Sequence, residues 1–463
     1  MPSVADVLSQ GWKVHQAGKI EDALRVYQHV IKQAPRNPEA HVYLGIALFD
    51  QRRYDESINA YRTALQLKDQ FPIAWNNLGN SLRMTGAVEE SDACFEKAHA
   101  LDPNYLSVYK NRGTLWIWSG EIERGLAWYE KGLKIAPDDP ELHRNLGVIY
   151  LLLGDFERGW AEYRWRWKMG GLRRPQTHAP LWKGEPISGR SILLYPEQGR
   201  GDEMHFIRIA SVLAAEGARV VVQTAPQMIP LFTSVHGVQT LLPVGSQLPP
   251  VDYHASFLDA VDGWFQANGK LPYGADSFFQ RGNHCGYLNV SDPLVNYWHH
   301  WMEKNAMGKD HRKRIGIAWQ GNPKHHADVY RSIALEELRP LAEDESLHLV
   351  SLQFGFGSEQ LDQADFGDSI SRLPDDTDTS GGAFTDTAAV MKNLDHVVTT
   401  DTSVAHLAGA LGVPTTVMLG RVPDWRWLRE GDQTPWYPSM RLVRQREMGH
   451  WSDAVQAAHQ TLN

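Results

Sequence analysis

Glycine recurs at a constant interval of 34 residues through the first third of the chain. In the clearest repeat, PIAWNNLGNSLRMTGAVEESDACFEKAHALDP, apolar residues follow the period of a helix on two successive segments. A pair of helices this short cannot bury its apolar face alone, so such repeats stack into a superhelix with a concave surface. The repeated glycines are Gly11, Gly45, Gly79, Gly113 and Gly147. The period therefore predicts an α-solenoid of five repeats over residues 1–168.

These units resemble the tetratricopeptide repeat, in which a small residue lets the two helices of one unit cross closely. Gly86 is expected to turn the chain between the helices, and Pro103 to end the second one. Serine or glycine replaces the usual alanine of the second helix at Ser57, Ser91, Gly125 and Gly159. We expect these replacements to weaken single repeats without disrupting the array. The concave surface of such an array is suited to holding another polypeptide.

The composition argues against several classes of protein. A net charge of −9 gives no basic field for nucleic acid. The two cysteines, Cys94 and Cys285, build neither a disulfide framework nor a cysteine-rich zinc site. The N-terminus lacks a basic start followed by an apolar stretch, and no run of about 18 apolar residues could span a membrane. We therefore expect a soluble, cytoplasmic protein with no membrane span and no nucleic-acid partner.

Beyond the array, short apolar runs alternate with helical stretches. Residues 169–190, rich in Gly, Pro and Arg, are interpreted as a bridging segment. The runs SILLYP, RVVVQT, VQTLLPV and DYHASFL, with a helix from about Glu203 to Glu216, predict a first α/β domain over residues 191–308. The runs RIGIAWQ, HLVSLQF, HVVTT and PTTVMLG predict a second one over residues 309–463. Two doubly wound domains in series would place a cleft between the carboxyl ends of their sheets.

The turn YPEQGRGDEMHF joins the first strand of this region to a helix. Gln198, Gly199 and Gly201 form the turn, and its glycines would let a ligand approach closely. Asp202 follows where the helix begins, and two interpretations exist for it. It could cap the helix by accepting amide hydrogen bonds, worth about 1 kcal/mol, or it could take a proton from an attacking hydroxyl. The turn alone favours the cap.

A second turn, in HVVTTDTSVAHLAGALGVP, carries Asp401, Thr402 and Ser403 between a strand and a helix. Amides and hydroxyls at a helix start, helped by the helix macrodipole, form an anion site that fits a diphosphate. The same residue types are common helix caps, so capping is the alternative interpretation.

The loop after the first strand of the second domain, IAWQGNPKHHADVYRSI, supplies groups that favour the anion site. Cations and donor amides beside a helix start are what a leaving phosphate requires. The candidates are Gln320, Asn322, Lys324 and Arg331. His325, His326 and His406 lack a further ligand and a carboxylate at a suitable spacing, so no metal site is predicted.

Over most of residues 188–463, the chain resembles the heptosyltransferases, glycosyltransferase family 9. The resemblance is carried by the segments EQGRGDEMHFIR, IGIAWQGNPKHHADVYRSI, FTDTAAVMKNLDHVVTTDTSVAHLAGALGVP and PDWRWLREGDQTPWYPSMRLVRQ. It implies a GT-B fold of two Rossmann-like domains, the first facing the acceptor and the second binding a nucleotide diphosphate sugar. The sequence departs from the family at Arg200 and Glu203, which make the entry turn more charged than usual.

The same resemblance implies roles for individual residues. Asp202 corresponds to the proposed base of the heptosyltransferases. Arg331, or with a poorer match Lys324, corresponds to the cation that binds the donor phosphates. The helix start at residues 401–403 corresponds to the segment that holds the nucleotide diphosphate, and His406 matches a histidine common in that helix.

The string AWNNLGN resembles repeats of the O-GlcNAc transferases, whose inner surface carries an asparagine ladder that grips peptide backbone. Asn77, Asn111 and Asn145 occupy the same position in the third to fifth repeats, whereas Ser9 and Tyr43 replace asparagine in the first two. An amide side chain can pair with any peptide group, because it has both a donor and an acceptor. The alternative is a ladder that only ties adjacent helices together.

Together these features predict a glycosyltransferase that moves a sugar from a nucleotide diphosphate sugar to an acceptor hydroxyl, with no metal and no further cofactor. The acceptor is expected to be a protein or peptide held by the array. Two alternatives stay open: a transferase for glycan or lipid-linked acceptors that uses the repeats for docking, and a non-catalytic scaffold. The acidic run from Asp375 to Asp378 is interpreted as a solvated loop rather than a metal motif.

Overall fold

The structure, a computed structural model, describes residues 2–272, 286–305, 312–324 and 328–462. The chain divides into two compact units, Met1–Ile149 and Tyr150–Asn463. This boundary lies before residue 168, the predicted end of the repeat array. The domain limits predicted from the sequence stay predictions. Throughout the described ranges, each helix is too short or too polar to cross a lipid bilayer.

The first unit is built from successive pairs of helices, as the repeat period predicts. The pairs are Val4–Gln16 (α1) with Ile20–Gln33 (α2), Pro38–Asp50 (α3) with Tyr54–Leu67 (α4), Pro72–Met84 (α5) with Val88–Leu101 (α6), and Leu106–Trp118 (α7) with Ile122–Ile135 (α8). Pro140–Leu152 (α9) contains the boundary between the units, and Phe156–Tyr163 (α10) belongs to the second unit.

The repeated glycines pack against aromatic rings of the second helix in each pair. A β-carbon at Gly79 would lie 2.8 Å from Cε1 of Phe95, so a side chain at this position would collide with the ring. The same relation holds for Gly11 with Tyr27, Gly45 with Tyr61 and Gly113 with Tyr129. The predicted close crossing of the helices is therefore confirmed.

Ser57 and Ser91, which were expected to weaken their repeats, tie the paired helices together instead. The Ser57 hydroxyl donates to the carbonyl of Gly45 at 2.8 Å, and that of Ser91 to the carbonyl of Gly79 at 2.7 Å. Both serines are fully buried. Because each buried hydroxyl has an acceptor, it does not carry the cost of an unpaired polar group.

The second unit contains two parallel sheets with helices between their strands, an α/β architecture. The strands of the first sheet, in the order β3-β2-β1-β4, are Ser191–Tyr195 (β1), Arg219–Thr224 (β2), Val238–Pro243 (β3) and Tyr253–Ser256 (β4). Its helices are Arg200–Phe206 (α11), Ile209–Ala215 (α12), Ile229–Phe232 (α13) and Phe257–Asn268 (α14). The helix predicted from Glu203 to Glu216 begins earlier and is interrupted after Phe206.

The second sheet is also parallel, with the order β10-β9-β8-β5-β6-β7. Helix Asp292–Lys304 (α15) precedes it. Its strands are Lys313–Ala318 (β5), Leu347–Ser351 (β6), Ser371–Arg372 (β7), His396–Thr400 (β8), Thr415–Leu419 (β9) and Met440–Arg444 (β10). Its helices are Arg339–Ala342 (α16), Gln360–Gln363 (α17), Thr385–Met391 (α18), Ser403–Leu411 (α19) and Ser452–Gln460 (α20).

The acidic run from Asp375 to Asp378 is only partly solvated. Asp375 and Asp376 are exposed, but Asp378 is half-buried and accepts from the amides of Asp386 and Thr387 at 2.7 and 3.1 Å. Burial raises the pKa of Asp378 above its ordinary value. The interpretation as a solvated loop is therefore wrong for Asp378, which caps the start of α18.

Candidate functional site

The strand order of the second sheet creates a change of direction between β5 and β8. The strands β6 and β7 lie on one side of β5, whereas β8, β9 and β10 lie on the other. Ligands of parallel α/β sheets bind outside the carboxyl ends of the strands at such a switch point. The loop after β5 and the turn after β8 flank it, and these two segments hold the predicted donor-binding residues.

Helix α19 begins at this switch point. Thr402 is its N-cap residue, yet the Thr402 side chain makes no capping hydrogen bond in the described part of the chain. The hydroxyl lies instead 3.4 Å from that of Thr399. Capping by Thr402 is therefore wrong, and its hydroxyl does not block the amides of the first turn, which begins at Ser403 and suits an anion.

Arg331 connects the β5 loop to this helix start. Its Nη1 donates to the backbone carbonyl of Asp401 at 2.9 Å, and its Nε donates to Oδ1 of the buried Asp328 at 3.3 Å. A guanidinium has five N–H donors, so a phosphate could still be bound by those not used in these two contacts. Arg331, a predicted phosphate-binding cation, thus lies at the start of α19.

Other predicted residues of the β5 loop make local contacts. The Gln320 side chain accepts from Nε2 of Gln360 at 2.8 Å. The Asn322 side chain accepts from the amide of Lys324 at 2.9 Å and so closes a turn, while Lys324 is exposed. These contacts shape the loop around Arg331. Outside the described residues lie His325 and His326.

Asp401 and Asp424 are two half-buried carboxyl groups that influence each other beside this site. Burial, followed by the charge of Asp424, raises the pKa of Asp401 to about 6. Burial acts on Asp424 in the same direction, but Arg426, which donates to Asp424 at 2.7 Å, holds the pKa of Asp424 below its ordinary value. Asp401 therefore takes up a proton at a higher pH than an exposed aspartate does.

Asp202 is both a helix cap and one partner of an ion pair. Its Oδ2 accepts from the amide of Gly199 at 3.2 Å, and its Oδ1 accepts from Nη2 of Arg426. Burial raises the pKa of Asp202, and the positive charge of Arg426 opposes this rise. The two interpretations of Asp202 are compatible, since one oxygen caps α11 and a raised pKa suits a general base.

Arg426 is the central cation of the site, and the sequence analysis did not identify it. Its side chain is only 6% exposed and lies in a segment that follows β9, whereas Asp202 follows β1. It bonds Asp202, Asp424 and the Oε1 of Gln198, the last at 3.1 Å, and its guanidinium lies 4.6 Å from the ring centre of Trp425. Arg426 therefore links the two sheets at the carboxyl ends of their strands.

The glycine at 201 allows α11 to pack closely on α19. A β-carbon at Gly201 would lie 3.0 Å from Cδ2 of His406 and 3.5 Å from the backbone of Ser403. Gly201 therefore has a role in the close packing of two helices, and its role in the approach of a ligand stays a prediction. Asp202 and Ser403, candidates from separate domains, are brought close by this contact.

His406 is a buried packing residue. Its Nδ1 lies 3.0 Å from the hydroxyl of Tyr437, and its ring stacks on Trp427. Burial, followed by the charge of Arg426, lowers the pKa of His406 to about 3. The imidazole is thus neutral at physiological pH. Among the described residues, no cluster of His, Cys, Asp and Glu side chains could hold a metal ion.

The switch point of the first sheet lies between β1 and β4, and a short 3-10 helix, Arg164–Lys168, is fixed to it. Arg166 donates to both oxygens of Glu197 at 2.7 and 2.9 Å and to Asp259 at 2.6 Å. Arg164 forms a bidentate pair with Asp262. The 3-10 helix, which precedes the predicted bridging segment, therefore helps to hold the turn that carries Asp202.

Arg200 and Glu203 were expected to make the entry turn more charged than in the heptosyltransferases. Glu203 does not do so. It is only 5% exposed and accepts from the hydroxyl of Thr224 on β2. Burial also raises the pKa of Glu203. Arg200, in contrast, is exposed. The expected extra charge at the turn is therefore limited to Arg200.

The predicted asparagine ladder makes contacts between neighbouring helices of the first unit. The Asn111 amide donates to Oδ1 of Asn76 at 3.0 Å, and the Asn76 amide donates to Oδ1 of Asn77 at 3.1 Å. Oδ1 of Asn145 accepts from Arg144 at 2.7 Å. The contact between α5 and α7 supports the helix-tying alternative. Asn77, Asn111 and Asn145 are nevertheless only half-buried, and peptide binding stays a prediction.

Comparison with known proteins gives a curated relative and several solved structures. Protein FlbA of Caulobacter vibrioides is 26% identical over 310 residues, which are 64% of this chain and 50% of FlbA, so the chain spans half the length of this relative. The structure titled crystal structure of MamA is 23% identical and covers 34% of this chain and 92% of its own, with a TM-score of 0.30. PilF of Pseudomonas aeruginosa is 19% identical and covers 37% and 78%, with a TM-score of 0.34.

The repeats themselves match models of a known family. Models described as tetratricopeptide repeat match residues 15–70 and 72–105, and one described as TPR repeat matches residues 119–154. The match over residues 72–105 covers the pair of α5 and α6, in which Gly79 packs on Phe95, and the match over residues 15–70 covers the pair of α3 and α4, in which Gly45 packs on Tyr61. The N-terminal repeats of this chain are therefore tetratricopeptide repeats.

Proposed function

We propose that the chain is a GT-B-type glycosyltransferase that moves a sugar from a nucleotide diphosphate sugar to an acceptor hydroxyl. The observation that carries the proposal is the switch point of the second sheet, where Arg331 bonds the carbonyl of Asp401 at the start of α19. A cation and a helix start at the carboxyl ends of adjacent parallel strands form a site for a diphosphate. Gly201 brings the turn with Asp202 against the same helix start.

In the proposed reaction, Asp202 accepts the proton of the acceptor hydroxyl. The hydroxyl oxygen forms a bond to the anomeric carbon, while the bond between this carbon and the diphosphate breaks and its electrons leave with the diphosphate. The amides of α19 and the guanidinium of Arg331 would stabilise the charge that grows on the leaving group. The raised pKa of Asp202 brings this base closer to neutral pH, where proton transfer is efficient.

Nucleotide binding tests the site directly. We expect calorimetry to detect binding of at least one nucleoside diphosphate, and Arg331→Ala to weaken it about 10- to 100-fold, because hydrogen bonds to charged groups contribute about 1.5–3 kcal/mol. Arg372→Ala is the matched control, since Arg372 lies on the edge strand β7 and pairs with Asp362 at 2.6 Å. Absence of binding by every nucleoside diphosphate would contradict the proposal.

The tetratricopeptide repeats are proposed to bind the acceptor protein or a docking partner. If Asn77, Asn111 and Asn145 grip an extended backbone, replacing all three by alanine removes hydrogen bonds worth about 1 kcal/mol each. Modification of the acceptor, identified by mass measurement in cells with and without the gene, should then decline while nucleotide affinity persists. Unchanged modification would favour docking, with a glycan or lipid-linked acceptor.

A non-catalytic scaffold is the second candidate function, and the ion pair between Asp202 and Arg426 favours it. A positive charge beside a base lowers its proton affinity, so this pair holds Asp202 in a less reactive state. The two functions differ in turnover. A scaffold would bind nucleotide without releasing sugar from any labelled nucleotide sugar, whereas a transferase would release it slowly to water and lose this release in Asp202→Asn.

A further inference from the structure

Two phenylalanine rings face solvent at the carboxyl edge of the second sheet. Phe354 is 42% exposed and Phe356 is 51% exposed. They lie in the sequence QFGFGSEQ, which begins two residues after the end of β6, and we refer to residues 353–357 as the aromatic loop. Leaving the two rings about half exposed forgoes part of the roughly 1.5–3 kcal/mol that full burial of each ring would contribute, so the loop is a candidate ligand-binding surface.

The aromatic loop is held by hydrogen bonds to the β5 loop. The Oε1 of Gln353 accepts from the amides of Trp319 and Gln320 at 3.1 and 3.0 Å. Its Nε2 donates to the carbonyls of Gln320 and Phe356 at 2.9 and 2.6 Å. A single side chain thus uses four hydrogen bonds to fix the aromatic loop against the segment that leads to Arg331.

The backbone of the loop also fixes how the rings are presented. Gly355 and Gly357 have φ values of +70° and +89°, which residues with a side chain rarely adopt. A β-carbon at Gly357 would lie 2.6 Å from Oε1 of Gln320, so this glycine is required for the close approach of the two loops. The exposed rings therefore belong to a tightly built turn.

The position of the aromatic loop relates it to the diphosphate site. The strand β5 lies between β8 and β6, so the carboxyl ends of β8 and β6 are about 10 Å apart, two strand spacings. The phosphates at the start of α19 would thus lie on one side of β5 and the rings on the other. In a nucleoside diphosphate, the ribose separates the base from the phosphates by a comparable length.

We propose that Phe354 and Phe356 form the stacking surface for the base of the nucleoside diphosphate. The inference rests on the proposed function and extends it to a base subsite. Every base has a flat π face that stacks on aromatic side chains. The amide groups of Gln320 and Gln353 beside the rings are neutral, which suits an uncharged heterocycle better than a basic or acidic peptide.

The test compares a nucleoside diphosphate with inorganic pyrophosphate by calorimetry. In Phe354→Ala/Phe356→Ala, the affinity for the nucleoside diphosphate should fall about 10- to 100-fold, because base stacking is lost. The affinity for pyrophosphate should stay within about twofold, because the phosphate site is intact. Phe354→Tyr/Phe356→Tyr keeps both rings and should bind both ligands like the wild type.

Distinct outcomes separate this inference from the proposed function. If the alanine variant binds the nucleoside diphosphate as tightly as the wild type, the base subsite is wrong and the diphosphate site stands. If wild type binds pyrophosphate and the nucleoside diphosphate equally, the same conclusion holds. If wild type binds neither ligand, the proposed function fails and the base subsite fails with it. An equal loss of both affinities in the alanine variant would show that the loop supports the phosphate site instead.

Discussion

Arg426 shows how one buried side chain controls the chemistry of another. Asp202 keeps a raised pKa because of burial, and the guanidinium of Arg426 limits the rise. Removing one partner of a buried ion pair leaves the other charge unpaired, which typically costs about 3–5 kcal/mol. The protonation state of Asp202 should therefore depend on Arg426, even though the two residues follow strands of different sheets.

We predict that Arg426→Gln moves the acid limb of the pH profile to higher pH. Without the positive charge, burial raises the pKa of Asp202 further, so the base is protonated at a pH at which the wild type is ionised. The measurement is the pH dependence of sugar release from the nucleotide sugar. Arg426→Lys retains the charge and should shift the limb less. An unshifted limb in Arg426→Gln would separate Arg426 from the titration of Asp202.

His205 predicts a dependence of stability on pH. Its ring is fully buried and stacks on Phe206, with a centroid distance of 4.0 Å, and within the described ranges neither ring nitrogen has a hydrogen-bond partner. Burial places the pKa of His205 well below its ordinary value. The unfolded chain therefore binds a proton that the folded chain does not, so the stability from this residue is present above about pH 6.5 and is lost as the pH falls.

We expect His205→Phe to gain free energy of unfolding relative to the wild type below about pH 6.5. The limiting slope for one proton is about 1.4 kcal/mol per pH unit. Denaturant unfolding between pH 5 and pH 8 measures the difference, and the values above pH 7.5 provide the internal control, since the difference should be constant there. A difference that stays constant down to pH 5 would contradict the prediction.

Some residues of the candidate site could be predicted from the sequence, whereas others could not, for a physical reason. Asp202 and residues 401–403 lie in turns after strands, and such turns can be recognised locally. Arg426 lies 224 residues from Asp202 in the chain, so no local sequence pattern predicts their contact. The contact of Gly201 with His406 could not be predicted for the same reason, because His406 lies in α19, which follows a strand of the other sheet.

Within the repeats, the crossing of paired helices depends on the fit between glycine and an aromatic ring. We predict that Gly79→Ala destabilises the protein by about 1–3 kcal/mol, since its β-carbon would press against Phe95. Phe95→Leu removes the ring atoms that would collide. In a double-mutant cycle by chemical denaturation, the double variant should lose less stability than the sum of the single losses. Additive losses would show that the two residues do not meet as described.

The strands of the two sheets show which elements could be predicted from the sequence and which could not. Most strands of the two sheets appear as continuous apolar runs, because parallel strands are covered on both faces. The edge strands β7 and β10 lie at opposite ends of the second sheet and were missed. β7 has only two residues, and two arginines interrupt the apolar side chains of MRLVR in β10, so neither forms such a run.

For the complete chain, the structure predicts where a stable fragment can begin. Residues 150–463 form a compact unit that includes Trp160 and the 3-10 helix with Arg164 and Arg166. We expect this fragment to fold and, under the proposed function, to bind a nucleoside diphosphate as tightly as the full chain does. A fragment of residues 191–463 lacks Arg166 and leaves Glu197 and Asp259 buried without this partner, which should cost about 3–5 kcal/mol.

Thermal unfolding and calorimetry of the two fragments check this prediction. Arg166→Met in the fragment of residues 150–463 is the matched variant, because it removes the same ion pairs without shortening the chain. It should lower the melting temperature towards that of the shorter fragment. Equal stability of both fragments would show that the 3-10 helix adds nothing to the support of the Asp202 turn.

The bond between Arg426 and Asp202 also has a kinetic consequence. A diphosphate that arrives at the start of α19 brings negative charge near Arg426 and competes with Asp202 for it. Only after this competition would Asp202 be released to accept a proton from the second substrate. Initial-rate kinetics should therefore follow a compulsory order, with the nucleotide sugar entering before the acceptor and the nucleoside diphosphate leaving last.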